Sequence, residues 1–247
     1  MGLEVKGEAK IRTAAPAGRN LTYAMLDEVG REIVTGFYDG RPFPTEAELA
    51  KQHSVSRSVT REAVKMLTAK GLLTARPRKG TTVQPATMWN LFDPDVLRWL
   101  LERKFTLGLL RQFNELRIAI EPAAAALAAE AHDPALLAAI RAGYERMEAA
   151  ESGGEDPLDA DIAFHIAVLN ASANPFYMQF RDVVSTALQT SIRFTNRFKG
   201  RTASLPAHKA VLDSIADRNP QAAKAEMATI IREVMVLIAD AESSPPP

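Results

Sequence analysis

Residues 161–170 read DIAFHIAVLN: an Asp and a His stand four positions apart in a run that is otherwise almost wholly apolar. On a helix that spacing puts Asp161 and His165 one turn apart on the same face. A carboxylate and an imidazole aimed together at an apolar surface can form a core hydrogen bond, a general-base pair or half of a metal site. Arg117 and Glu121, in LRIAIEP, have the same spacing. Their opposite charges either pair along the helix or leave the guanidinium to grip a carboxylate ligand with two parallel hydrogen bonds. In ALQTSIRFTNRF (187–198), Gln189, Arg193 and Asn196 recur at helical steps and can line the same cavity. Neither a GxSxG elbow nor an HExxH zinc motif occurs in the sequence, so an enzyme is not expected.

A second kind of chemistry lies nearer the N-terminus. The chain as a whole has zero formal net charge, yet residues 1–85 hold 14 Lys+Arg against 9 Asp+Glu. Between Arg57 and Lys79 there are seven basic residues and one acid, Glu62. A basic block beside an acidic remainder is what a nucleic-acid-facing module carried by another domain looks like; a solvated basic helix is the plainer reading.

These residues need elements to position them. Leu21, Met25, Val29, Ile33 and Phe37 recur at i+4 steps and predict a helix over 21–37. Thr45 with Glu48 makes a capping box, so a second helix starts at Thr45, and His53-Ser54-Val55 breaks it. Ser56 caps a third helix with an inner stripe of Val59, Ala63, Met66 and Leu67, ended by Gly71. Arg57, Thr60, Arg61 and Lys65 then fall on its outer side. LLTA and TTVQ read as two short strands around a basic turn, RPRKG (76–80). The whole is a winged helix-turn-helix. The third helix of such a head enters the major groove with its first turn, where Arg57 and Arg61 reach base edges or phosphates. A cationic wing lies along the neighbouring groove or backbone.

Beyond residue 86 the pattern is helical throughout. Asp93-Pro94, Asp133-Pro134, Asp156-Pro157, Asn174-Pro175 and Asn219-Pro220 each place a capping side chain before a proline, which suits a first helical position. Thr106 and Ser204 cap two more helices. The predicted spans are 94–103, 106–131, 134–151, 157–172, 175–198, 204–218 and 220–241, with Pro122 kinking the second. The expected fold class is mostly α: an N-terminal winged helix-turn-helix and a C-terminal all-α bundle of six to seven helices. The expected boundaries are a disordered tail at 1–15, the DNA-binding domain at 16–86, a linker with a short helix at 87–105, the bundle at 106–242 and a disordered tail at 243–247. The chain has no cysteine, which removes disulfides, thiol nucleophiles and Cys-based zinc sites. No apolar run is long enough to span a membrane, and no signal peptide is visible, so a cytoplasmic location is expected.

FPTEAELA, VSRSVTREAVKMLTAKGLL and RPRKGTTV resemble the DNA-binding domain of the GntR regulators. The resemblance implies DNA contacts by Thr45, Ser56, Arg57, Ser58, Thr60 and Arg61, and by Arg76, Arg78, Lys79 and Gly80 of the wing. Ala47 is a departure, because the family usually has an Arg there. NELRIAIEP, DIAFHIAVLNASANP and HKAVLDSIADRNPQAAKAEM resemble, in order, the signature segments of the subfamily with an FCD effector domain. Many of those domains hold a divalent metal with one Asp and three His. The resemblance carries this role to Asp161, His165 and His208, while the third His falls at Ile230, in an apolar helix face. Three ligands can still hold zinc, nickel or manganese with one position open; otherwise the polar cluster binds an organic acid directly. Arg117, with Glu121, is implied to face the effector pocket. WNLFDPDVLRWLLE, LRIAIEPAAA and HKAVLDSI resemble the sugar-acid sensors of the subfamily. This resemblance implies a homodimeric repressor, released from a palindromic operator by a sugar acid such as galactonate or gluconate. Another hydroxy- or dicarboxylic acid is the alternative effector, and a metal-dependent enzyme carrying a winged helix is the alternative class.

Overall fold

The computed structural model describes residues 17–76, 80–103, 106–198 and 203–243, and their side chains except those of 17–20, 76 and 192–198. The chain divides into two compact units, residues 1–90 and 91–247.

The first unit contains α1 (Ala17–Thr35), α2 (Glu46–Gln52), α3 (Arg57–Ala69) and an antiparallel pair, β1 (Leu73–Arg76) and β2 (Gly80–Val83). The capping box at the start of α2 is present: the Glu48 N–H donates to Thr45 Oγ1 at 3.3 Å, and the Thr45 N–H donates to Glu48 Oε2 at 2.8 Å. Ser56 caps α3, accepting from the Val59 N–H at 3.3 Å. The buried face of α3 is Thr60, Ala63, Val64 and Leu67, rotated from the expected stripe. Thr60 is fully buried, which corrects its placement on the outer side. Its hydroxyl donates to the Ser56 carbonyl at 3.2 Å, so a polar side chain can occupy the inner face without an unmet hydrogen bond. The α1 stripe is also shorter than expected. Met25, Val29 and Ile33 are buried, whereas Leu21 and Phe37 are exposed, because Leu26 and Val34 complete the packed face instead. Gly71 ends α3 at φ +76°, and a Cβ there would lie 2.2 Å from the Met88 carbonyl oxygen, so only glycine lets the chain leaving the wing pass this close.

The second unit contains α4 (Pro94–Glu102), α5 (Leu107–Ala131), α6 (Pro134–Glu151), α7 (Pro157–Ala171), α8 (Pro175–Met178), α9 (Arg181–Phe198), α10 (Leu205–Ala216) and α11 (Pro220–Ser243). All five Asp/Asn-Pro pairs start helices, and each capping oxygen accepts from backbone N–H groups of the first turn. Thr106 caps α5 likewise, but the Ser204 side chain makes no capping bond. Pro122 sits buried inside α5, which runs through it without a break. The span expected as one helix over 175–198 is interrupted: the Gln179 and Phe180 N–H groups bond to carbonyls three residues back, breaking the i−4 ladder between α8 and α9. α5 packs along α11, α6 along α7, and α7 also touches α5 and α9. The main core joins Ile140, Phe164, Val168, Val211, Met227 and Ile231 from α6, α7, α10 and α11. α4 packs on α9 and so belongs to this unit. Among the described residues no helix is long and apolar enough to cross a membrane.

Candidate functional site

α7 is apolar on nearly all sides, as befits a helix packed against α5, α6 and α9. Its two buried polar residues, Asp161 and His165, are 4% and 1% exposed. They meet His208 of α10, also 1% exposed. His208 Nε2 lies 3.1 Å from Asp161 Oδ1 and 3.3 Å from His165 Nε2, while His165 Nε2 lies 3.7 Å from the same carboxylate oxygen.

The outer bonds of the two imidazoles fix what their inner nitrogens can do. His165 Nδ1 is 2.5 Å from Glu121 Oε2, and His208 Nδ1 is 2.8 Å from the Ser204 carbonyl oxygen. A carboxylate and a carbonyl only accept, so each Nδ1 carries the proton and donates. In the neutral rings each Nε2 is then a bare lone pair. Two such lone pairs and Asp161 Oδ1 converge with no proton between them, and Asp161 Oδ1 is buried without a hydrogen-bond partner. Three convergent acceptors in a buried site call for a cation. The arrangement of imidazole Nε2 inward and Nδ1–H on a carboxylate or carbonyl outward is that of supported metal ligands. Asp161, His165 and His208 can therefore coordinate a divalent metal.

The charges around the cluster favour its ionised form. Burial raises the Asp161 carboxyl pKa; when the imidazoles carry protons on Nε2 as well, the hydrogen bond from His208 and the charges of His165, His208 and Arg117 outweigh burial and hold the group below its ordinary value. Glu121 is wholly buried. Burial pushes its pKa up, yet Arg117 and His165 together hold it at about 2. Arg117 Nε donates to Glu121 Oε1 at 2.6 Å and Nη2 to Oε2 at 3.4 Å, while Nη1 donates to Asn114 Oδ1 at 3.3 Å. Asn114 in turn donates to Ser191 Oγ of α9 at 3.2 Å.

The cluster lines a cavity of about 390 Å³, with Arg117 and Ser191 also on its wall. Ile230, Val234 and Leu237 of α11 supply an apolar side. Glu121 is absent from that wall: it joins Arg117 to His165. Gln189 is likewise absent, and its Nε2 lies 3.4 Å from Ser185 Oγ within α9. The side chains of Arg193 and Asn196 lie outside the described residues. Asn114, Ser191 and the Ser204 carbonyl are additions that sequence reasoning missed. Asn114 was accessible, since 114, 117 and 121 share one helical face. The Ser204 carbonyl was not, because a backbone acceptor leaves no trace in the sequence.

In the first unit, Arg57, Ser58 and Arg61 are exposed at the start of α3. Arg61 Nε is 3.7 Å from Glu46 Oε2, a surface pair that hardly restrains it. The hydroxyls of Thr45 and Ser56 cap helices from exposed positions, whereas Thr60 is buried in the head. The Arg76 side chain, Arg78 and Lys79 lie outside the described residues, while Gly80 opens β2 at φ +78°. The N-terminus of α3, with its unpaired N–H groups and two arginines, is suited to phosphate.

A helical head with a two-stranded wing, followed by a separate all-helical unit, is the architecture of a winged helix-turn-helix joined to a helical bundle. Residues 26–83 match the model for bacterial regulatory proteins of the gntR family, and residues 112–233 match that for the FCD domain. The chain is 35% identical over 217 residues to the galactonate operon transcriptional repressor of Escherichia coli (strain K12), covering 86% of this chain and 94% of that protein. It is 34% identical over 215 residues to the uncharacterized HTH-type transcriptional regulator YieP of the same organism, covering 84% and 90%. The solved structure of Lar, which controls expression of the Listeria monocytogenes agr system, shares the fold with TM-score 0.53 and 18% identity, covering 93% of this chain and 99% of that one. This chain belongs to the GntR family of bacterial transcriptional regulators and carries an FCD domain. Its relatives are regulators of transcription, not enzymes.

Proposed function

We propose that this chain is a homodimeric repressor whose operator affinity falls when a sugar acid such as galactonate enters the cavity at Asp161, His165 and His208. The observation that carries the reading is the buried, unpartnered Asp161 Oδ1 facing two imidazole lone pairs. Such a cluster needs a cation, and a cation with three protein ligands retains room for an oxygen of an incoming acid. Asp161, His165 and His208 would hold the metal, which would supply the positive charge that a carboxylate and its 2-hydroxyl seek. Zinc suits one carboxylate and two imidazoles; nickel and manganese accept the same donors. Arg117 is a poorer first receptor than its charge suggests, because Glu121 already takes two of its N–H groups. It keeps N–H groups that can orient an acid bound beside it. Ile230 gives the α11 side an apolar surface against the C–H face of the ligand. The similarity to a galactonate operon repressor supports this class of acid. On the DNA side, Arg57, Ser58 and Arg61 of α3 are the residues assigned to the major groove, with Arg76, Arg78, Lys79 and Gly80 in the wing. A two-fold dimer on a pseudo-palindromic operator supplies the specificity that one small head lacks.

A thermal-shift panel of sugar acids, run before and after chelation, tests this. A ligand that binds only the native state raises the midpoint by mass action. Stabilisation by galactonate should vanish with chelator and return with zinc. Stabilisation indifferent to the chelator would move recognition to Arg117. No shift with any sugar acid would overturn the effector class.

A further inference from the structure

The cavity has a second chemical feature that metal and carboxylate recognition leave unused. Glu151, the last residue of α6, and Glu233, in the middle of α11, both line it and are both exposed. No hydrogen bond or ion pair of either is found among the described residues. Arg117 is the one cation among the described lining residues, and Glu121 already compensates it. Glu151 also sits where the α6 dipole is negative, with no basic residue in that last turn to offset it. The same cavity holds the buried, unpartnered oxygen of Asp161, an independent sign that a ligand belongs in it.

We infer that Glu151 and Glu233 act as a charge filter, passing an acid with one carboxylate and a hydroxyl-bearing tail and rejecting an acid with a carboxylate at each end. The inference rests on the cavity being the effector site. The cluster of Asp161, His165 and His208 engages one acidic end of a ligand. The remainder of the ligand then lies toward two carboxylates that can only accept hydrogen bonds. Hydroxyl groups donate to them. A second carboxylate meets like charge, and like-charge juxtaposition is an effective way to exclude a wrong partner. The filter therefore distinguishes aldonates from dicarboxylates of the same length.

Galactonate and galactarate form the matched pair of probes, identical except that a terminal hydroxymethyl becomes a carboxylate. Isothermal titration of both into the zinc-supplemented full-length protein should show galactonate preferred by about tenfold or more. The ratio should shrink as salt rises, because exposed charges are screened within about 10 Å at 0.1 M. The double substitution Glu151→Gln, Glu233→Gln should bring the ratio toward one, chiefly by tightening galactarate. Both positions are exposed, so an unchanged thermal midpoint serves as the folding check. Equal binding of the two acids by the parent protein, or an unaltered ratio in the double variant, would overturn the filter while leaving the effector reading intact. Binding of neither acid would overturn both.

Discussion

At the scale of single residues, Glu121 decides how the site behaves although it never touches the cavity. Its carboxylate accepts from His165 Nδ1 at an N···O distance of 2.5 Å, which ties α5 to the cluster, and it also pairs with Arg117 one turn away on α5. Glu121→Gln keeps the shape but removes the charge. Metal affinity should fall about 10–100-fold, the usual cost of losing the partner that orients a ligand imidazole. Stability should fall by about 3 kcal/mol, because Arg117 is left buried without its carboxylate. Zinc competition against a chromogenic chelator, on variant protein shown folded by circular dichroism, checks the first. Unaltered zinc affinity would remove Glu121 from the support of His165. Sequence reading found Asp161 and His165 because a helix repeats every turn, and that much is local. It left a core bond, a catalytic pair and a metal site open, since spacing does not say what a face meets. His208 is 43 residues beyond His165, and only the fold brings their Nε2 atoms to 3.3 Å. Thr60 shows the same limit: a hydroxyl residue reads as surface until its bond to the Ser56 carbonyl is seen.

At the scale of elements, α6 and α7 must lie very close for α7 to present its polar pair correctly. Gly143 makes that approach possible. A Cβ there would stand 2.9 Å from Phe164 Cα, a contact with backbone that no side-chain rotation relieves. Gly143→Ala should therefore destabilise the second unit by about 1–3 kcal/mol despite the better helix propensity of alanine, as overpacking does in a dense core. Urea denaturation measures it; a midpoint at or above that of the parent would show that the helices can separate without strain. Because Phe164 precedes His165, the displaced helix should also loosen zinc binding. Helix starts were the most legible part of the fold, since an Asx cap and a following proline act within four residues. The break at Gln179–Phe180 and the rotated inner face of α3 were not legible. Both depend on packing between elements, which periodicity in one segment does not encode.

At the scale of the whole molecule, the sequence divides its charge unevenly, with residues 1–85 basic and the remainder acidic, and the chain has two compact units, residues 1–90 and 91–247. What no single segment could reveal is the cavity, whose wall is assembled from α5, α6, α7, α9, α10 and α11. If an acid in that cavity lowers operator affinity by some factor, operator DNA must lower the affinity for the acid by the same factor, whatever path joins the two sites. Coupling of this kind commonly amounts to about 1–3 kcal/mol, or roughly 5–150-fold. Galactonate affinity should therefore be measured by calorimetry on the free protein and on the protein saturated with operator duplex, at one fixed salt concentration because phosphate contacts make DNA affinity salt-dependent. The fold-loss on adding duplex should equal the fold-loss in operator affinity that saturating galactonate causes in a binding titration. A drop in DNA affinity with no reciprocal drop in galactonate affinity would mean that the acid acts by another route, such as withdrawing metal from Asp161, His165 and His208. Repeating both titrations with the metal concentration clamped separates that route from true coupling, because only coupling survives the clamp with the two factors equal.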